Sequence, residues 1–285
     1  MTTPIASPDP ILVSRDVVRA LREDVGSGDV TADLLPDLPA AAWVICKQDA
    51  VIAGQAWFDA TFRILDPTVQ IHWRITEGAT VAAGQVLCTL HGRSRALLSG
   101  ERTALNFLQL LSATATVTAR FVAAVRGTRA RILDTRKTIP GLRQAQKYAV
   151  VAGGGCNHRL GLHDAMMLKE NHIHAAGSIA SAIQSARARH PGVPLIVEVE
   201  TLSELDQAIA GRPDRILVDE FGLDDLRQAV RRADGQVPLE VSGGVDLGSV
   251  RTLAETGVDC ISVGALTKHV QAIDLSLRFG APPIA

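Results

Sequence analysis

The sequence predicts an α/β protein in two parts: a β-rich N-terminal region, then a longer run of alternating strands and helices that closes into a barrel. Three observations carry this. Between Ala40 and Leu98 the apolar residues fall in short runs of β type (AWVICK, VIAG, VQIHWRI, ATV, VLCTLHG) broken by glycine and proline, as in an antiparallel sheet. Beyond residue 128, short apolar strands alternate with amphipathic helices, and six or more such units favour a parallel barrel over an open sheet. The 285 residues are 47% hydrophobic and 21% charged, enough to bury one large or two modest cores.

After a proline-rich start, SRDVVRALREDV sets Val17, Val18, Leu21 and Val25 at helical spacing behind Ser14, the expected N-cap. Gly26, Gly28, Asp29 and Thr31 follow as a glycine-rich turn; a lone GxGD is read as a loop rather than a phosphate cradle. Within the β-rich region, ITEGATVAAGQVLCTLHGRSRALLSGE resembles the hammerhead of biotinyl and lipoyl carrier domains. No lysine stands at a hairpin tip to carry a cofactor, so a carrier role is set aside.

A long helix is expected from about Glu101 to Val125, capped by Ser99, with Leu105, Leu108, Leu111 and then Val117, Phe121 and Val125 as its apolar stripe. Arg102 then falls in the first turn, where the positive end of the helix dipole disfavours a cation by about 0.3–1 kcal/mol. A bound anion, or a guanidinium held out in water, would each account for it. Further strands are expected at Arg131 to Asp134, Ala165 to Leu168, Leu195 to Val199, Arg215 to Asp219, Pro238 to Ser242 and Cys260 to Val263. Helices fill the gaps at about Leu142 to Ala149, after Ser178, and at Ser203 to Ala210, Asp224 to Arg232 and Leu247 to Thr256.

Composition excludes several classes. A net charge of −1 argues against a surface made for nucleic acid, while leaving room for a local basic pocket. Cys46, Cys88, Cys156 and Cys260 lie far apart without CxxC spacing, which suggests reduced, buried thiols. Cys156, His158, His163, His172 and His174 cluster in sequence, but no HExxH or CxxC spacing supports a zinc site. The N-terminus lacks a signal-peptide pattern and no uninterrupted apolar stretch spans a membrane, so a cytoplasmic protein without a membrane partner is expected.

In a parallel barrel the active site lies at the C-terminal ends of the strands. Those ends carry Asp134, Arg136 and Lys137; Lys169; Glu198 and Glu200; Asp219; Ser242, Gly243 and Gly244; and Gly264. Between Asp134 and His174 the chain also gathers a triple glycine, Asn157, His158 and Arg159, which reads as an anion-binding floor. SGGV and VGAL, after the last two strands, suit a phosphate held by backbone N–H groups. Glu198 and Glu200 share a strand face, and with Asp219 they could hold a hard divalent ion, magnesium being the natural choice; pairing with the nearby cations is the competing and compatible explanation. Asn171 and His172 are read as loop residues that orient the basic groups.

These residues resemble the quinolinate phosphoribosyltransferase family. The matching pieces are EDVGSGDVT, ERTALNFLQLLSATAT, DTRKTIPGLR, QKYAV, GGGCNHRLGLHDAMMLKENHI, VEVE, VDEF, EVSGG and GVDCISVGALT, in family order along nearly the whole chain. The resemblance implies an N-terminal α/β sandwich at 1–112 and the open α/β barrel of the type II phosphoribosyltransferases at 113–285, with a C-terminal helix at about 265–280 packing back on the first domain. It implies transfer of phosphoribose from phosphoribosyl pyrophosphate to quinolinate, decarboxylation to nicotinate mononucleotide, and a homodimer with a shared site, a hexamer of such dimers being left open.

Carried over residue by residue, the resemblance puts Arg136, His158, Arg159 and Lys169 around the carboxylates of quinolinate, with Arg102 reaching them from the partner subunit. Lys137 and Lys169 would face the phosphoribosyl donor, Glu198 and Asp219 would hold Mg2+, and Ser242, Gly243, Gly244 and Gly264 would bind the 5-phosphate. Lys137, Lys169, Glu198 and Asp219 are thus the expected catalytic set. Three departures from the family pattern stand out: Glu220 in place of the Asn of LDN, Glu170 in place of the Asp of KDNH, and Lys268 and His269 where the family has His-Ser after GALT. A related phosphoribosyltransferase, a molybdenum-operon paralogue with another acceptor, or an idle barrel that only binds a ligand are the alternatives.

Overall fold

The computed structural model describes residues 5–282. In chain order the elements are α1 (Pro10–Asp24), β1 (Pro39–Cys46), β2 (Ala50–Val51), α2 (Gln55–Leu65), β3 (Gln70–Trp73), β4 (Thr80–Val81), β5 (Val86–Arg93) and α3 (Ser94–Ala124). Then come β6 (Arg131–Leu133), α4 (Arg143–Ala152), β7 (Met166–Leu168), α5 (Glu170–Ala176), α6 (Ile179–Arg189), β8 (Leu195–Val199) and α7 (Leu202–Gly211). The chain finishes with β9 (Arg215–Val218), α8 (Leu223–Ala233), β10 (Leu239–Val241), α9 (Val250–Glu255), β11 (Cys260–Ser262), α10 (Ala265–Lys268) and β12 (Leu275–Phe279). It divides into two compact units: one holds residues up to 119 with 139–154 and 269 onward, the other 120–138 and 155–268.

The first unit is built on an antiparallel sheet in the order β12-β1-β5-β3, with β2 and β4 paired separately. Beneath the sheet, Phe58 meets Phe62 and Trp73 edge-on at 5.1 and 5.2 Å, packed with Leu87, Leu90 and Leu105. Rings at such distances contribute about 0.5–1.5 kcal/mol beyond their buried area.

Four local expectations change here. Asp9, not Ser14, caps α1: its carboxylate accepts the Ile11 N–H at 2.9 Å and Pro10 fills the first turn, where its missing N–H costs nothing. The region 40–98, expected as an antiparallel sheet, also contains a helix, α2; Trp57, Phe58, Thr61 and Phe62 form its buried face. The start of α2 is held by Glu77, which takes the N–H groups of Gly54 and Gln55 at 2.6 and 3.1 Å from far along the chain. Finally, the C-terminal segment expected as a helix at 265–280 is instead the short α10 followed by β12, antiparallel to β1. Leu275 and Leu277 are buried with Ser276 between them, a period of two rather than 3.6.

The fourth correction is α3. It begins at Ser94, so Ser99 is interior and donates its hydroxyl to Asp29 at 2.8 Å. Arg102 therefore lies in the third turn, clear of the positive end of the dipole, and its expected electrostatic penalty vanishes. By length and composition α3 could cross a membrane, with a mean hydropathy of 1.3, yet half of that window is buried and Leu97, Leu105 and Leu108 are core residues.

The triple glycine also has its reason here. A Cβ on Gly153 would lie 2.4 Å from the Ala115 carbonyl oxygen and 2.8 Å from Thr118 Cβ on α3, and Gly154 sits at φ +86°. These two glycines let helices approach and a turn form rather than cradle a phosphate. Gly153→Ala is expected to cost about 1–3 kcal/mol by overpacking, read as a lower midpoint in urea unfolding; an unchanged midpoint would show that α3 and α4 can part freely.

The second unit is a six-stranded, all-parallel sheet in the order β6-β11-β10-β9-β8-β7. That is the cyclic order of a βα barrel with one seam left open, between β6 and β7. The strands are short and apolar, with Ile216, Leu217 and Val218 of β9 all buried. Since every strand runs the same way, their C-terminal ends share one rim.

Candidate active site

That rim surrounds a cavity of about 380 Å3, within the range of small-molecule sites. Arg136, Lys137, His158, Arg159 and Lys169 supply its cations and imidazole; Glu198, Asp219, Ser242 and Gly243 line it as well. Nine of the predicted site residues are thus brought together by elements scattered over more than a hundred positions. Of the other three, Gly264 stands at the same rim, its α-carbon so close to Lys137 that a Cβ would lie 3.0 Å from Lys137 Cδ. Gly244 follows Gly243 in the same turn, both at positive φ (101° and 54°), and a Cβ on Gly243 would come within 3.3 Å of Asp219 Oδ1. Arg102 is exposed on α3, in the other unit, and is not among the lining residues.

The basic side is held by hydrogen bonds of the loops. After β6, Thr135 Oγ1 accepts the Lys137 N–H at 3.0 Å and the Lys137 carbonyl accepts the Thr267 hydroxyl at 2.8 Å, which orients this turn from β11's side of the rim. The buried Asp134 carboxylate takes the His158 N–H at 2.8 Å. Arg159 reaches the Ala165 carbonyl at 3.3 Å. Burial, and after it the charge of Arg136, pulls the Arg159 guanidinium below its usual pKa. Two guanidiniums crowded at a partly buried wall favour a dianionic ligand, because its carboxylates relieve the repulsion through paired, charge-assisted hydrogen bonds.

Lys169 directly follows β7 and caps α5, where its N–H is accepted by His172 Nδ1 at 3.1 Å. Asn171 and His172 therefore belong to a helix, not to the loop expected for them, and His172 closes that helix's first turn. The Lys169 ammonium meets Glu198 Oε2 at 2.5 Å. Glu200, expected beside Glu198, lies past the end of β8, exposed, with its N–H turned to Glu204 at 2.8 Å. Loss of some hydration, then the charges of Glu170, Glu204, Asp219 and Glu198, raise its pKa; it does not line the cavity.

Glu198 and Asp219 face the cavity from neighbouring strands, and their carboxylate oxygens could hold a hard divalent ion such as magnesium. That ion keeps several waters and takes oxygens from phosphates instead of demanding a complete protein cage.

Glu220 and Glu240 also line the cavity. Glu220 sits at φ +57°, which costs a residue with a Cβ about 1–2 kcal/mol and is tolerated best by Gly and Asn. Glu220→Asn is expected to stabilise the protein by about 1 kcal/mol, seen as a higher unfolding midpoint; a lower midpoint would mean that the carboxylate is held by interactions stronger than the strain. Glu240 escaped the sequence reading although a signal was present: a lone acid in the middle of an apolar strand, LEV. It is fully buried, bonded to Arg215 Nη1 at 2.8 Å and 3.4 Å from His158 Nε2. Burial drives its pKa up, but the His158 and Arg215 contacts outweigh it and leave it below the usual carboxylate range.

Models of the quinolinate phosphoribosyl transferase N-terminal and C-terminal domains match residues 29–112 and 114–278. The carboxylating nicotinate-nucleotide pyrophosphorylase of Mycobacterium leprae is 43% identical over 278 residues, covering 93% of this chain and 96% of its own. A probable carboxylating nicotinate-nucleotide pyrophosphorylase of Bacillus subtilis is 41% identical over 257 residues, 90% of this chain and 89% of its own. The solved nicotinate-nucleotide pyrophosphorylase of Francisella tularensis superposes with a TM-score of 0.93 at 44% identity, over 98% of this chain and all of that one. By its matched domains, its fold and its relatives, the chain belongs to the quinolinate phosphoribosyltransferase family.

Proposed function

We propose that this chain transfers phosphoribose from phosphoribosyl pyrophosphate to the ring nitrogen of quinolinate, releasing pyrophosphate and then CO2, to give nicotinate mononucleotide for NAD biosynthesis. The carrying observation is a single rim that gathers the guanidiniums of Arg136 and Arg159, the ammoniums of Lys137 and Lys169, the acids Glu198 and Asp219 and a glycine turn around one cavity. Arg136 and Arg159 bind the two carboxylates and turn the ring so that its nitrogen faces the donor. His158 lines the same cavity. Ser242, Gly243, Gly244 and Gly264 take the 5-phosphate, because only glycine leaves backbone N–H groups open at such a close approach.

Catalysis is chiefly positioning and charge. Lys137 and Lys169 stabilise negative charge as pyrophosphate leaves, and the carboxylates of Glu198 and Asp219 face the electron-poor anomeric carbon. Glu198 and Asp219 would hold Mg2+, which neutralises pyrophosphate oxygens when bound. No side-chain nucleophile is needed. Arg102, exposed and not among the cavity-lining residues of its own chain, completes the site of a second copy in a cytoplasmic homodimer.

Purified protein mixed with quinolinate, phosphoribosyl pyrophosphate and Mg2+ is expected to release nicotinate mononucleotide and CO2 in equal amounts. Chelation with EDTA is expected to stop turnover and weaken donor binding in calorimetry, with added Mg2+ restoring both. Turnover of nicotinate in place of quinolinate would sink the decarboxylating reaction.

A further inference from the structure

The lumen of a βα barrel is ordinarily filled by branched apolar side chains, yet this one holds a buried column of charge. Glu240 lies between Leu239 and Val241 on β10 and is fully buried while lining the cavity. Burying a carboxylate with its partner is often no more stable than an apolar pair of the same volume. Such a pair therefore invites a role other than stability.

We infer that Glu240 is a positioning residue for acceptor binding: its carboxylate fixes the His158 imidazole, and through it the Asn157–Arg159 loop that carries Arg159 to the cavity. The inference rests on the quinolinate reading of the site. Its geometry is specific. His158 Nδ1 accepts the Arg159 N–H at 2.6 Å. A neutral imidazole that accepts at Nδ1 carries its proton on Nε2, and Nε2 is the nitrogen 3.4 Å from Glu240 Oε2. Acceptance at Nδ1 thus places the proton on Nε2, the nitrogen that faces the Glu240 carboxylate.

The same loop is pinned a second time, through the His158 N–H on Asp134. Two buried carboxylates, one at the end of β6 and one on β10, thereby hold the loop. Arg159 needs this restraint because the charge of Arg136 opposes its approach to the cavity wall. Arg215, bonded to the same Glu240 oxygen as His158, offsets the carboxylate's charge from below.

Two double variants separate the idea from a general packing effect, since both remove the charge pair and leave no unpaired guanidinium in the lumen. Glu240→Leu/Arg215→Met has no acceptor for His158, whereas Glu240→Gln/Arg215→Met keeps one. The first is expected to raise KM for quinolinate about tenfold or more, with kcat and KM for phosphoribosyl pyrophosphate changed far less. It is also expected to mix the His158 tautomers in 15N imidazole spectra. The second is expected to retain the wild-type tautomer and most of the quinolinate affinity.

Equal KM values and equal His158 spectra in the two doubles would overturn the inference, as would a loss confined to kcat. The spectra need no substrate. If the unsubstituted protein fails to turn over quinolinate, they still decide whether Glu240 governs His158, and that failure falls on the acceptor assignment instead.

Discussion

Lys169→Met is expected to lower kcat/KM by about a hundredfold to a thousandfold, the usual scale for deleting one group aimed at transition-state charge. Methionine keeps the aliphatic stem and removes only the ammonium, so the change reads as charge and not as packing. Two effects add. The pyrophosphate loses a cation as it departs, and Glu198, which Lys169 meets directly, is left as an unbalanced anion facing it. The Lys169 side chain is 46% exposed, so the unfolding temperature is expected to move little. Steady-state kinetics over both substrates check this; a tenfold or smaller loss in a folded variant would remove Lys169 from the catalytic set.

The second large effect is a recovery. Arg102→Ala and Lys169→Ala proteins are each expected to be nearly inactive alone, since one lacks the cation lent to its partner and the other lacks its own. Mixed in equal amounts under conditions of verified subunit exchange, they are expected to regain about a quarter of wild-type activity. Half the dimers are then mixed, and each mixed dimer holds one intact mouth of two. Absence of any recovery, with exchange demonstrated by mass spectrometry, would confine Arg102 to its own subunit. This experiment now carries the case for Arg102, because the dipole argument disappeared once α3 was found to begin at Ser94.

The three departures from the family pattern differ in what the structure says of them. Glu220 is at the cavity in a left-handed conformation that asparagine would adopt more easily. Glu170 is the first residue of α5, where an acid favours the helix dipole as an aspartate would. Lys268 and His269 are exposed beyond the rim, and nothing in the structure explains their replacing His-Ser.

Much of the second unit was legible because its signals are local and periodic. Short apolar strands between amphipathic helices admit few arrangements, and the rule that chemistry sits at strand C-termini selected Arg136, Lys137, Lys169, Glu198, Asp219 and Ser242 before any coordinates. The first unit was less legible, since its decisive contacts join distant segments. The cap of α2 is Glu77, and the edge strand completing the sheet is β12, more than two hundred residues after β1.

The sequence by itself determined the fold class, the family and most of the charged rim, because residue type and spacing encode them directly. Only the tertiary structure decided how the charges are shared. Glu200 next to Glu198 in sequence stays outside the cavity, because β8 ends at Val199 and the chain turns into α7. Glu240, unremarkable in LEV, becomes the partner of His158, because alternation on a parallel strand sends its side chain into a lumen whose other residents arrive from β9 and from the loop after Gly155.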